Sequence, residues 1–197
     1  PGTQDGVETA LERLRRASPS WRDLGVARRL AFVEHCARLI AQSEAELTQA
    51  LVADGGSRLV ESQSGIASMT PSRLAAYARS MTVVVVDGRG EPLGEILHHR
   101  PDGVVVLSSP ARAPSVGLIP LLEVLLVGNC VLVRCSRPSA VASFMISVIE
   151  RAKKAFDMPL DIVELVVAPA RQTLAVAVPS PHSDTIVFYG GTTAGRS

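Results

Sequence analysis

The apolar positions change their period twice along the chain. From residue 7 to residue 80 the repeat is helical: Leu30, Val33, Ala37 and Ile40 fall at i, i+3 and i+4 spacing, one apolar stripe on an otherwise charged helix. Ser43-Glu44-Ala45-Glu46 has capping-box spacing, and Gly55-Gly56 is expected to close the helix that carries Leu47 and Leu51. Thr70-Pro71 opens a further short helix through Tyr77. These helices read as scaffold, with no chemistry assigned to them. At Thr82 the pattern becomes extended: Val83–Val86, then Asp87-Gly88-Arg89-Gly90, then a returning run through Leu93, Ile96 and His98. Four β-branched residues, a DG turn and a second strand predict a hairpin, which alone in water is marginal and needs something to pair with. His98 and His99 point to opposite faces of a strand and read as a solvated pair, not a metal site.

Beyond residue 100 the apolar runs are short and apolar on both faces. Val104–Leu107 and Cys130–Val133 look like strands of a buried parallel sheet, and the mostly apolar segment between them, ending in Gly128-Asn129, is long enough for a crossover helix. Ser139–Phe156 predicts a helix carrying Ile146, Ile149 and Ala152, with Arg151, Lys153 and Lys154 favourably placed in its last turns. Ile162–Val167 predicts a third buried strand, Gln172–Val178 a short helix and Thr185–Phe188 a fourth strand. The expected class is therefore α/β, a Rossmann-like open parallel sheet behind N-terminal helices. Open sheets of this kind hold ligands at the carboxyl ends of their strands. Here those ends read Ser108-Ser109-Pro110 and Arg134-Cys135-Ser136-Arg137, polar, basic and rich in accessible backbone, as an anionic nucleotide requires. After the fourth strand, Gly190 and Gly191 allow close backbone approach, and Thr192 and Thr193 suit a helix start whose amides attract phosphate.

Composition narrows the function classes. With 197 residues, 47% hydrophobic and 20% charged, there is apolar material for a core, and a net charge of +1 argues against a nucleic-acid surface. No apolar run reaches membrane-spanning length and Pro1–Asp5 does not read as a signal peptide, so the default expectation is cytoplasmic. Cys36, Cys130 and Cys135 have neither metal-ligand nor CxxC spacing and read as small buried hydrophobes.

Three stretches carry a resemblance. PDGVVVLSSPARAP…LLVGNCVLVRCSRPS resembles the signature region of the aldehyde dehydrogenase superfamily, where a P-x-GVV strand enters a P-W-N-x-P turn, then a helix ending in A-x-GN, then a VV-x-KP strand. DTIVFYGGTTAGRS is similar to the family's strand, G-S-T turn and cofactor-binding helix, and Asp157–Val163 sits where the family has its G-x-P-x-G-V-V connection. The lead-in with Trp21 and Arg28-Arg29 resembles helices that pack on the family's cofactor domain. The resemblance implies an N-terminal helical part over 1–81, a β-hairpin arm over 82–98 used in oligomerisation, and a Rossmann-like NAD(P)-binding part over 99–197. It also implies a homo-oligomer and a nicotinamide dinucleotide held by Ser108, Ser109, Pro110, Arg134, Arg137, Gly190, Gly191 and Thr192.

Departures from the family pattern sharpen these expectations. Ala111 replaces the tryptophan and Arg112 the asparagine that helps hold the oxyanion, and losing one such donor typically costs about 10²–10³ in rate. Arg112 can donate in its place or bind a carboxylate or phosphate instead. Arg134 keeps the cation of the lysine that contacts the adenosine ribose, while Arg137 replaces a glutamate that contacts the ribose hydroxyls in NAD-using members. That exchange favours a 2′-phosphate, hence NADP, or signals decayed cofactor binding. Ala168-Pro169 stands where the family has a glycine. A strand–turn–helix unit cut one turn into its helix, and a start at Pro1, are expected of a fragment bound to other subunits or to the rest of its parent. The family's nucleophilic cysteine and glutamate base would lie beyond Ser197, so this chain alone is expected to be inactive. Two functions stay open: the cofactor half of an NAD(P)-dependent aldehyde or acyl-thioester oxidoreductase, or a non-catalytic assembly or docking module. The GN-x-x-x-VR string at Gly128–Arg134 also resembles acyl-CoA reductases of bioluminescence systems.

Overall fold

A computed structural model describes residues 3–54, 72–73, 76, 82–86, 92–98, 100–109 and 120–189. The helical period becomes α1 (Thr3–Asp23), α2 (Val26–Gln42) and α3 (Glu44–Ala53). The stripe on α2 buries Val33, Ala37 and Ile40 as expected, together with Phe32, Cys36 and Leu39. The capping box expected at Ser43 does not form, because its hydroxyl caps nothing. At φ −111° and ψ 29° the backbone of Ser43 turns almost directly from one helix into the next, without the extended geometry of a capping serine. Its amide instead closes α2 on Leu39 and Ile40, both at 3.1 Å, and its carbonyl starts α3 by accepting from the Leu47 amide at 3.0 Å. The glycines expected to end α3, and most of the segment from Thr70 to Tyr77, lie outside the described residues; residues 72–73 and 76 are helical.

The predicted hairpin is present as β1 (Thr82–Val86) and β2 (Pro92–His98), antiparallel with Val84 opposite Ile96 and an irregularity between Val84 and Val86. The main sheet follows: β3 (Val104–Ser108), α4 (Leu121–Val127), β4 (Cys130–Cys135), α5 (Ala140–Ala155), β5 (Val163–Val167), α6 (Ala170–Ala177) and β6 (Thr185–Phe188). Its strands are parallel in the order β5-β4-β3-β6. β3 and β4 are buried at every position, which is why both read as unbroken apolar runs. β5 corrects the expectation of a third buried strand: its residues are only partly covered, and Val167 is 45% exposed. Among the described residues it is an outer strand, so one side of it has no neighbour.

The N-terminal helices are latched to this sheet through the end of α4. Gly128, at φ 110°, supplies the left-handed residue that terminates α4. Carbonyls of its last turn also accept from residues distant in sequence. Trp21, 0% exposed, donates its indole N–H to the Leu125 carbonyl at 3.0 Å. Buried Arg29 donates to Leu126 at 3.0 Å, to Val127 at 3.4 Å and to the Arg22 carbonyl at 2.6 Å. Burial pushes the Arg29 guanidinium down from its ordinary range, yet an arginine stays charged and faces the negative end of the helix dipole. Trp21 and Phe32 meet edge to face at 5.4 Å, as do Phe32 and Phe156 at 5.6 Å.

α5 ends in a Schellman turn in which the Met158 amide reaches the Lys153 carbonyl at 3.0 Å and the Asp157 amide reaches Lys154 at 3.3 Å. Asp157 occupies the left-handed position of that turn, φ 47°, where the resemblance places a family glycine. Asp157→Gly is therefore expected to stabilise the fold by about 0.5–1 kcal/mol, because relief of the Cβ strain outweighs the extra freedom of glycine in the unfolded chain. Thermal unfolding followed by circular dichroism checks this; a lowered midpoint would show that the aspartate side chain stabilises the turn.

Candidate functional site

The chain runs from β3 to β4 to β5 in one direction and then returns to place β6 on the other side of β3. Neighbouring strands β3 and β6 thus leave their carboxyl ends for opposite sides, the switch point at which open α/β sheets bind ligands. The sequence-predicted residues at this edge are partly brought together. Ser108 and Ser109 are buried at the end of β3; the Ser108 carbonyl accepts from the Tyr189 amide at 3.2 Å, and the Ser109 amide donates to the Arg134 carbonyl at 2.9 Å. Pro110, Arg112, Gly190, Gly191 and Thr192 lie outside the described residues.

Arg134 comes from the end of β4 and is 5% exposed. Its Nε donates to the Ala168 carbonyl at 2.8 Å and its Nη1 to the Ser108 hydroxyl at 3.3 Å, so one side chain ties the carboxyl ends of β3, β4 and β5 together. Burial lowers its ionisation range, opposed by the neighbouring Cys135 thiol, and it has no carboxylate partner among the described residues. A buried cation that keeps its charge without a counter-ion favours an anion nearby.

Arg137 stands apart from Arg134 in its contacts. It is exposed, and its Nη2 donates at 2.8 Å to the main-chain carbonyl of Asp54, the residue that ends α3. The Asp54 carboxylate is itself buried against the start of α5 and accepts from Ser139, Ala140 and Val141. Nothing local in the sequence marks Asp54 for this role. An aspartate before two glycines reads as turn punctuation, and no spacing rule links it to a helix that begins at residue 140.

The thiols supply no nucleophile. Burial pushes Cys36 and Cys130 up to about 12, and Cys135 is also raised by burial, with Arg134 opposing. Such thiols carry negligible thiolate at neutral pH. Glu8, Glu12 and His182 bring ligand atoms within 4.8 Å of one another beside α1, but Ser180 already donates to Glu8 at 3.1 Å, and a cluster of this kind is common without an ion.

Comparison with known proteins decides the family. The model of the Aldehyde dehydrogenase family matches residues 1–197. The chain belongs to the aldehyde dehydrogenase family. It is 29% identical over 195 residues to N-succinylglutamate 5-semialdehyde dehydrogenase of Erwinia tasmaniensis, a match covering 96% of this chain and 37% of that protein. Its fold is similar to glyceraldehyde-3-phosphate dehydrogenase from Methanocaldococcus jannaschii, solved with NADP, at TM-score 0.79 and 17% identity over 98% of this chain and 43% of that one. It is likewise similar to an NAD-dependent benzaldehyde dehydrogenase from Corynebacterium glutamicum, at TM-score 0.78 and 20% identity over 98% and 43%. The chain thus spans less than half the length of these aldehyde dehydrogenases. No helix among the described residues is long and apolar enough to cross a membrane.

Proposed function

We propose that this chain is the nicotinamide-dinucleotide-binding part of an aldehyde-dehydrogenase-like oxidoreductase acting on an aldehyde or acyl thioester, and that it takes NADP at least as well as NAD. The observation that carries this is a switch-point edge with two arginines, Arg134 and Arg137, neither paired with a carboxylate among the described residues. The residues fit a phosphorylated ribose better than a bare one. Ribose hydroxyls want an acidic acceptor, and Asp54, the carboxylate next to Arg137 in these contacts, is turned into the start of α5. In this reading Arg134 holds the strand ends in register and sets a positive potential at the crevice, while Arg137 receives the phosphate. Ser108, Ser109 and Pro110 supply the floor beside the adenosine end. Gly190, Gly191 and Thr192 would bind the pyrophosphate, and Arg112 would act on the reacting carbonyl. The cofactor, when bound, would accept a hydride from an aldehyde or donate one to an acyl thioester.

Calorimetric titration with NADP and with NAD tests the reading. Binding of NADP at least as tight as NAD is expected, and a clear NAD preference would overturn it. A second reading, a non-catalytic docking module, draws on the burial of Arg134 and its engagement by Ala168 and Ser108; it would be favoured if neither nucleotide bound.

A further inference from the structure

Two positive features meet at the carboxyl edge, the amino end of α5 and Arg137, and only one of them is open to a ligand. The first turn of α5 is filled from within. Asp54, 8% exposed, accepts at Oδ1 from the Ala140 amide at 2.8 Å and at Oδ2 from the Val141 amide at 3.1 Å and the Ser139 hydroxyl at 2.6 Å. Ser139 in turn accepts from the Ala142 amide at 3.1 Å. The first three amides of the helix therefore all have partners, and a ligand anion brought there would meet a buried carboxylate. Arg137 is exposed and gives one nitrogen to the Asp54 carbonyl. A guanidinium has five N–H donors in a rigid fork, so this contact restrains the group while most of its donors stay available.

We infer that Asp54 is a positioning residue for nucleotide selectivity: its side chain closes the amino end of α5 to phosphate, and its carbonyl anchors Arg137 as the receiver of a ribose 2′-phosphate. This rests on the dinucleotide reading above and deepens it. Asp54 touches no ligand. It acts because its carboxylate pins the residue that caps α3 to the start of α5, and the carbonyl that restrains Arg137 belongs to that same residue. Without the carboxylate the end of α3 is released, Arg137 loses its restraint, and the α5 amides become a competing anion site with no preference for a 2′-phosphate.

The test uses 2′,5′-ADP and 5′-AMP, which differ only in the 2′-phosphate and lack the nicotinamide. Titration calorimetry is run on the unmodified chain, on Asp54→Ala, Asp54→Asn and Arg137→Ala, and on the Asp54→Ala/Arg137→Ala pair, with thermal melts to establish folding. The unmodified chain is expected to bind 2′,5′-ADP about tenfold more tightly than 5′-AMP. Asp54→Ala should bring the two within about threefold of each other while 5′-AMP affinity is kept or rises. Asp54→Asn keeps one acceptor oxygen for α5 and folds more readily; its preference should fall part of the way. In the Arg137→Ala background, removal of the Asp54 carboxylate should change the ratio no further. A folded Asp54 variant, alanine or asparagine, with an unchanged ratio overturns the inference and leaves the dinucleotide reading standing. Equal binding of both probes by the unmodified chain does the same, and binding of neither overturns both.

Discussion

Gly103→Ala is expected to unfold the sheet at a much lower temperature, with a loss of about 3–5 kcal/mol and a drop in melting midpoint on the order of 10 °C. Gly103 sits at φ 130°, a region that residues with a Cβ rarely enter. A Cβ built there would also run into the Asp184 carboxylate, well inside contact distance, and approach Arg15 Nη1 at 3.2 Å. That carboxylate cannot simply move aside. It accepts from the Val104 amide at 2.7 Å and is paired with Arg15 at 2.8 Å, so displacing it uncovers the first amide of β3 and breaks an ion pair that ties α1 to the start of β6. Gly103 is held on its other side as well: its amide donates to the Asn129 side chain at 2.9 Å and its carbonyl accepts from the Cys130 amide at 2.8 Å. Leaving a buried amide without a partner costs about 1–3 kcal/mol, on top of a comparable backbone strain. Thermal and urea unfolding measure the loss. The double change Gly103→Ala/Asp184→Ala, compared with Asp184→Ala alone, isolates the backbone strain, since the carboxylate and its bonds are absent from both. An unchanged midpoint in the single variant would show that the loop before β3 has an alternative path at no cost.

Arg137→Glu is expected to reverse the nucleotide preference, weakening NADP by about 100-fold while NAD is held or gained. Two effects act together. The charge-assisted hydrogen bonds to the 2′-phosphate are lost, and a carboxylate now faces that phosphate while being able to accept from ribose hydroxyls instead. The new side chain also cannot donate to the Asp54 carbonyl, so the existing contact at 2.8 Å disappears. Parallel titrations of NADP and NAD measure the outcome, and the NADP difference should shrink as salt is raised, because Arg137 is exposed and its field is screened. Unchanged NADP affinity in a folded variant would place the phosphate away from Arg137 and sink the assignment.

Much of the architecture was legible in the sequence because it follows from local periods and from burial on two faces. The antiparallel strands Thr82–Val86 and Pro92–His98, the buried pair β3 and β4, the helix after Ser139 and the return to β6 lie where their periods put them, while the turn expected at Asp87-Gly88 lies outside the described residues. So does the polar, basic character of the carboxyl edge, since parallel strands end on the same side and Ser108 and Arg134 terminate neighbouring ones. Local signals failed where a local pattern had a long-range competitor. Ser43 has capping-box spacing, yet the close succession of two helices takes its backbone out of capping geometry. β5 is as apolar as β4 but lies at the outside of the four strands. Arg134 and Arg137 were legible as cations at the carboxyl edge of the sheet, whereas their partners were not: Ala168 and Asp54 accept through main-chain carbonyls, groups that every residue carries and that leave no trace in composition. By itself the sequence determined the order of the elements, the class of the sheet and the charge of its carboxyl edge, because backbone sterics and water act on each segment where it stands. Only the tertiary structure decided that Asp54 caps α5, that Trp21 and Arg29 close α4 and that Arg134 bridges three strand ends, because those bonds exist only once distant segments have been packed into hydrogen-bonding distance and stripped of water.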